Sequence, residues 1–350
     1  MRPGFYRKIS HEDFITTFRD MPCFARLVSQ ERRWLERRGG SMNRGKTSLL
    51  AASCLLFTSI AAHATTTSST TTVHHRHHAH SQAQANRASF SLDEPALRSS
   101  AALILDETHS TVLYSRHADV AMPIASISKL VTALTVADAK QPMDEVIEVT
   151  DEDRAIGKGA FSRLAVGTRL TRGDLFHLAL MASENRAAHA LARNYPGGIE
   201  AFMPAMNAKA KELGMTSSHF VEPTGLSSDN VASPEDLSKL VMAASKNSTI
   251  REYSTDPGYD VRVGRRMVGF HNTNSLVNNP TWDIVVQKTG YIEEAGRCMV
   301  MQTVIEGRTI VIVLLNSFGK QTRVADATRV RKWMEAKLLQ GTSAAVAGKT

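Results

Sequence analysis

The chain has 350 residues, 42% of them hydrophobic, with 42 Lys+Arg against 34 Asp+Glu and a formal net charge of +8. The excess is local: residues 1–64 hold 11 Lys+Arg against 5 Asp+Glu, which leaves 31 against 29 for residues 65–350. That near balance, without any basic stripe, argues against nucleic-acid binding. Of the three cysteines only Cys298 lies beyond residue 64, which excludes an internal disulfide in that part.

Residues 42–64, MNRGKTSLLAASCLLFTSIAAHA, have a basic start at Arg44 and Lys46, an apolar run over 49–62 and the small-residue ending Ala62-His63-Ala64. The run is too short to span a bilayer comfortably and ends in a cleavage pattern, so it reads as an export signal with Met42 as a candidate start, and it points to the periplasm. Lipoprotein cleavage before Cys54 is the weaker alternative, because Ala51 stands where a leucine is usual. Residues 1–41 read as a non-structural extension; the arginine pairs at 32–33 and 37–38 lie too far from the apolar run to suggest twin-arginine export. Residues 65–91 are rich in Thr, Ser and His and too poor in apolar residues to fold. The histidines at 74, 75, 77, 78 and 80 can scavenge zinc or nickel, but nothing fixes a coordination geometry, so the segment is expected to be a polar linker.

The folded part is expected over 92–339, followed by a flexible tail over 340–350 that is too polar and short to anchor to a membrane. Alternation predicts strands over 101–106 and 111–115. Helical spacing of Ile127, Leu130, Val131 and Leu134 predicts a helix over 126–139. Further helices are expected over 171–181, 185–194, 198–213 and 234–244, the last capped by Ser233 with Pro234 at its first position. Strands follow over 283–289, 297–305 and 309–316, with a tight turn at Glu306-Gly307 and a closing helix over 323–339. Strands at both chain ends around a helical middle imply an α+β domain with an antiparallel sheet assembled from the two ends. Cys298 and the methionines at 203, 206, 299 and 301 read as core.

Three triplets carry chemistry. Ser126-Ile127-Ser128-Lys129 places a hydroxyl and an amine three apart, on one helical face. A serine becomes nucleophilic when a base takes its proton, and an uncharged lysine can be that base; a helix N-terminus beneath Ser126 would favour a developing oxyanion. Ser183-Glu184-Asn185 joins two predicted helices, and Lys288-Thr289-Gly290 ends a predicted strand. Each alone is as well explained by a helix cap or a strand end. Together, in this order, they match the S-x-x-K, S-x-N and K-T-G set of penicillin-binding proteins and class A β-lactamases. If they converge, Lys288 would place a second cation near Lys129 and help keep it neutral. Ser183 could pass a proton from Lys129 to the leaving amine, Asn185 could offer its amide to the substrate, and Lys288 and Thr289 could hold a substrate carboxylate. Gly290 would leave room for a peptide along the strand edge.

The stretches PIASISKLVTA, LALMASENRAAHALARNYPGG, FMPAMNAKAKELGM, FVEPTGLS and VQKTGYIEEAGRCMVM extend the match over roughly residues 98–335. The chain resembles the D-alanyl-D-alanine endopeptidase branch of the low-molecular-mass penicillin-binding proteins. That resemblance implies an α/β (α+β) transpeptidase-like fold, with a five-stranded antiparallel sheet, flanking helices and a mostly helical subdomain. It also implies cleavage of D-alanyl-meso-diaminopimelyl cross-links in peptidoglycan. Ser126 would carry the acyl-enzyme, Lys129 would be the general base, Ser183 and Asn185 the second motif and Lys288 the substrate-binding lysine, with the backbone amides of Ser126 and Tyr291 as oxyanion donors. β-Lactams would acylate Ser126, and no metal or organic cofactor is implied. No Glu-x-x-Asn element for deacylation occurs in the chain, so durable acylation is expected rather than β-lactam hydrolysis. D-Ala-D-Ala carboxypeptidase activity is the nearest variant, and an inactive peptidoglycan-binding protein the more distant one. His189, His271, Lys320 and Arg323 are left without an assigned place.

Overall fold

Residues 298–301 and 310–315 are apolar at every position, which a strand tolerates only when both of its faces are covered. In the computed structural model, which describes residues 94–154 and 162–347 with side chains through residue 337, both runs belong to a five-stranded antiparallel sheet. The elements begin with β1 (Ser99–Asp106), β2 (Thr111–Arg116), β3 (Met122–Pro123), a 3₁₀ turn at Ala125–Ile127, α1 (Ser128–Asp138), β4 (Val146–Glu148) and β5 (Arg169–Thr171). A helical middle follows: α2 (Arg172–Met181), α3 (Asn185–Arg193), α4 (Gly198–Glu212), β6 (Val231–Ala232), α5 (Pro234–Ala244) and α6 (Ser248–Thr255). The chain then forms β7 (Gly258–Val263), β8 (Arg266–His271), β9 (Asp283–Ile292), β10 (Gly296–Ile305), β11 (Arg308–Ser317) and α7 (Thr322–Ala347).

The sheet order is β2-β1-β11-β10-β9, so strands from both chain ends interleave and β9 is an outer strand. The pleat sends alternate residues to opposite sides. Ile310, Ile312 and Leu314 pack with Met299, Met301, Trp333 and Val330 on the α7 side. Val311, Val313 and Leu315 join Cys298, Val300 and Leu103 on the side covered by the other helices. Each such aliphatic side chain contributes roughly 1.5–3 kcal/mol by leaving water. Register carries this pattern to the edge: Leu103 pairs with Val313, Val313 with Val300, and Val300 with Lys288. One row thus runs from the core to a lysine on the helix-covered face. The start of α7 is tied to β1 through Asp326, whose Oδ2 accepts from Ser99 N at 2.7 Å and Ser99 Oγ at 2.6 Å.

The α+β class and five-stranded sheet agree with expectation; several boundaries do not. The helix expected over 126–139 begins at Ser128, because Ala125 adopts φ +51° and breaks the helical path just before Ser126. The strand expected to end at residue 289 continues to Ile292, so Lys288-Thr289-Gly290 lies inside it. The closing helix continues to Ala347, so residues 340–347 are helical rather than a flexible tail; Ala344, Ala345 and Ala347 favour propagation, and the lone Gly341 costs only about 1 kcal/mol in a helix already nucleated. Helix α6 and the β7–β8 hairpin were not anticipated: their strands carry Asp260, Arg262 and Arg266, which blur the apolar period. The expected N-terminal extension, export signal and histidine-bearing linker, residues 1–91, lie outside the described residues, as do residues 348–350. No helix among the described residues is long and apolar enough to cross a membrane.

Candidate active site

The first triplet sits where the 3₁₀ turn meets α1. Ser126 belongs to the turn and Lys129 to the first turn of the helix. The positive φ of Ala125 is an unfavourable conformation for a residue with a Cβ. Two glycines make room for it. A Cβ on Gly290 would lie 2.8 Å from Ile124 O and 2.9 Å from Ser126 N, and one on Gly225 would lie 2.0 Å from Ala125 O. Backbone therefore packs directly on backbone on both sides of the serine.

Lys129 is buried, and its Nζ donates to Ser126 Oγ at 2.9 Å, Asn185 Oδ1 at 2.7 Å and the Thr224 carbonyl at 2.5 Å. Three acceptors are the full complement of an ammonium group. Burial lowers its pKa to about 8, against the opposing pull of the Glu222 and Glu184 carboxylates. Lys288 is buried too and lies well below the ordinary lysine range, first through burial and then through the cations of Lys129 and Arg323. Burial is the largest cause of both depressions, so any help from the Lys288 charge is secondary for Lys129.

The second triplet turns the chain from α2 into α3. Ser183 has φ +59°, and Glu184 N donates to Leu178 O, so the reversal closes on the end of α2. Asn185 opens α3 and reaches Lys129 through Oδ1. The Ser183 hydroxyl makes no hydrogen bond among those of the described residues. Of this triplet, Asn185 is the member in contact with Lys129.

The third triplet follows the edge strand. Lys288 Nζ donates to Thr289 O at 3.1 Å, and Thr289 Oγ1 lies 2.6 Å from Thr273 Oγ1. Thr273 N in turn donates to Met181 O, tying the third triplet to the approach of the second. Tyr291 extends its ring to solvent under the Arg297 guanidinium, 4.4 Å from the ring centroid.

The residues left without a place now have one. Arg323 Nη1 donates to Gly290 O at 2.9 Å, beside the third triplet, and burial together with Arg297 lowers it to about 10. His189 is held away from this chemistry by Asp153 at 2.9 Å. Lys320 lies exposed ahead of α7, and His271 exposed at the end of β8. Cys298 is fully buried, and burial raises its thiol to about 11, as suits core packing. Residues that sequence reasoning left unassigned include Thr273, Glu184 and the loop that brings Thr224 O to Lys129. The loop's one sequence signal is the turn-forming Glu222-Pro223-Thr224-Gly225.

A serine whose hydroxyl touches a buried lysine with a lowered pKa, with a second buried lysine on a strand edge, is equipped for nucleophilic attack on a carbonyl of a substrate that carries an anion. Comparison with known proteins agrees. Residues 88–319 match the family model described as D-alanyl-D-alanine carboxypeptidase. The D-alanyl-D-alanine endopeptidase of Pseudomonas aeruginosa is 48% identical over 241 residues, 68% of this chain and 78% of that protein. The enzyme of the same name from Escherichia coli is 44% identical over 257 residues, 71% of this chain and 81% of that one. Among solved structures, the Streptomyces K15 DD-transpeptidase superposes with a TM-score of 0.65 at 26% identity, covering 69% of this chain and 99% of that one. The chain is therefore a serine peptidase that belongs to the D-alanyl-D-alanine carboxypeptidase family, peptidase family S11.

Proposed function

We propose that this peptidase is a penicillin-sensitive DD-endopeptidase that hydrolyses D-alanyl-meso-diaminopimelyl cross-links of peptidoglycan, working in the periplasm after removal of residues 42–64 as an export signal. The single observation that carries the reading is the contact of Lys129 Nζ with Ser126 Oγ at 2.9 Å, with Asn185 bonded to the same amine and Lys288 near enough to interact with its charge. The two relatives named above, both called D-alanyl-D-alanine endopeptidase, support the substrate class.

In the reaction, neutral Lys129 takes the proton of Ser126 as Oγ bonds to the D-alanyl carbonyl carbon. The carbonyl oxygen becomes an oxyanion facing the amides of Ser126 and Tyr291. The C–N bond then breaks, the diaminopimelyl amine leaves with the proton carried by Lys129, and an acyl ester remains on Ser126. Ser183, close in sequence to Asn185, is the proposed relay for that proton. Water attacks the ester, Lys129 again serving as base, and restores the hydroxyl. Lys288 and Thr289 hold the substrate carboxylate, Asn185 Nδ2 steadies the donor peptide, and Gly290 lets it lie along the open edge of β9. A β-lactam follows the same first step, and its ring nitrogen remains tethered to the acyl group.

Digestion of purified cross-linked muropeptide dimers, with products identified by mass, tests the reading. Monomers are expected, and none with Ser126→Ala. Loss of terminal D-alanine alone would make the chain a carboxypeptidase, nitrocefin turnover a β-lactamase, and no product a binding protein. Mass spectrometry of the penicillin-treated exported protein should give one adduct on Ser126 and an N-terminus at Thr65.

A further inference from the structure

Residues 222–230 contain none of the three triplets, yet they hold the backbone oxygen closest to the base lysine. Glu222 organises them. Its Oε2 accepts from Thr224 N at 2.7 Å and Thr224 Oγ1 at 2.5 Å, and its Oε1 from Gly225 N at 2.5 Å, Asn230 Nδ2 at 3.1 Å and Ser227 N at 3.4 Å. A carboxylate that gathers the amides of the residues just after it turns the chain so that the carbonyls face outward. The Pro223 carbonyl accepts from Thr132 Oγ1 at 2.7 Å, and the Thr224 carbonyl from Lys129 Nζ at 2.5 Å. Asn230 closes the loop, donating to Ser128 Oγ at 3.0 Å and to Glu222 O at 2.8 Å while accepting from Val221 N at 2.8 Å. Gly225, at φ +81°, brings the same loop against the Ala125 carbonyl, with no space for a Cβ.

A neutral primary amine has two N–H bonds and one lone pair. Around Lys129 Nζ stand two oxygens that can only accept, Asn185 Oδ1 and Thr224 O, and one hydroxyl that can donate, Ser126 Oγ. When both acceptors are satisfied, the lone pair is left for Ser126. Without the Thr224 carbonyl, the amine is free to rotate and spend its lone pair elsewhere.

We propose that Glu222 is a positioning residue for the acylation step: it folds residues 222–227 so that the Thr224 carbonyl directs the lone pair of Lys129 onto Ser126, and Gly225 backs the nucleophile turn. This rests on the serine–lysine reading above.

Glu222 also acts on the amine through its charge. The charged groups around Lys129 are Glu222 on this loop, Glu184 ahead of α3 and Lys288 on β9, with Arg323 beyond Lys288; both carboxylates favour the ammonium form. Removing the Glu222 charge therefore lowers the Lys129 pKa, and the acid limb of the acylation profile moves to lower pH. A residue that merely supported the fold would lower the rate and leave the limb in place.

The test is the rate of acylation by a fluorescent penicillin between pH 5 and 10 for the full chain and its variants, with thermal melts in parallel. Glu222→Gln is expected to shift the limb down by roughly half to one pH unit and to lower the plateau by about 10–10². Glu222→Asp retains the charge on a shorter arm, so its limb stays in place while its plateau falls. Glu222→Gln with limb and plateau both as in the parent, or with a lower plateau on an unmoved limb, overturns the proposal. If Glu222→Gln does not fold, Glu222→Asp decides with its melting curve: a parental plateau, or a plateau lowered only together with the melting temperature, overturns it, and a reduced plateau at the parental melting temperature supports it. Unimpaired acylation of Ser126→Ala would instead sink the serine–lysine reading itself.

Discussion

Lys129 and Lys288 are both buried lysines of one site, in contrasting settings. Lys129, at the corner of loops beneath α1, has three oxygen acceptors and two carboxylates nearby, and these hold its pKa at about 8 against the pull of burial. Lys288, on the strand wall, has the Thr289 carbonyl at 3.1 Å and two cations for neighbours, and burial together with those cations holds it well below the ordinary lysine range. Desolvation is common to both; what differs is the supply of acceptors and of negative charge. The corner is set to exchange a proton near neutrality. An anion beside the wall would favour the ammonium form of Lys288, in keeping with the proposed roles of base and carboxylate receptor.

Removing the corner lysine should have the largest effect. Lys129→Ala is expected to slow penicillin acylation by about 10³-fold, within the range of a positioned general base. In the parent the rate should climb with pH up to about 8 and then level, because the ammonium has no lone pair and the neutral amine does; stopped acylation across pH checks both. A profile that is flat between pH 6 and 8 would remove the distinction between the two lysines.

Lys288→Met sharpens the comparison from the other side. It should raise the KM for a carboxylate-bearing substrate by about 10–10²-fold, the worth of a hydrogen bond to a charged partner, and leave the Lys129 limb in place. A limb moved upward would show that Lys288 does depress Lys129. Gly290→Ala breaks the packing between wall and corner. Its Cβ would meet Ser126 N at 2.9 Å, so a loss of acylation of about tenfold to a hundredfold is expected with little change in circular dichroism.

The smallest effect on chemistry is expected far from both lysines, at Asp153. Burial would raise this carboxyl, but hydrogen bonds from His189, Arg193 and Thr150 N bring it down to about 2. A depressed carboxyl stabilises the fold above its unfolded pKa and loses that contribution as pH falls through its folded one. About 2 kcal/mol should therefore disappear between pH 4 and 2, and be absent at all pH in Asp153→Asn, with the acylation limb unmoved; melting curves and the acylation profile read the two separately.

Much of this was legible in the chain. The apolar runs of β10 and β11 announce strands buried on both faces, and Ser233-Pro234 announces the start of α5, where the Ser233 side chain accepts from Asp236 N. The serine and lysine of the first triplet do meet, though not as two residues of one helix: Ser126 sits in a separate turn because Ala125 leaves the helical path. The β7–β8 hairpin was hidden, since an exposed two-stranded ribbon needs no apolar period to exist. The sequence reads Ser183 as a proton relay and Asn185 as a substrate-binding amide, yet of the two it is Asn185 that hydrogen-bonds the lysine.

The order and spacing of the triplets, and the residue types in them, were determined by the sequence itself, because nucleophile, amine and amide are properties of side chains. The protonation of the amine and the aim of its lone pair were decided by the tertiary structure. Desolvation requires an assembled interior, and the two acceptors that orient Lys129 come from residues 56 and 95 positions further along the chain. No local pattern can bring such oxygens to one nitrogen, and one of them is a backbone carbonyl with no side-chain identity to read.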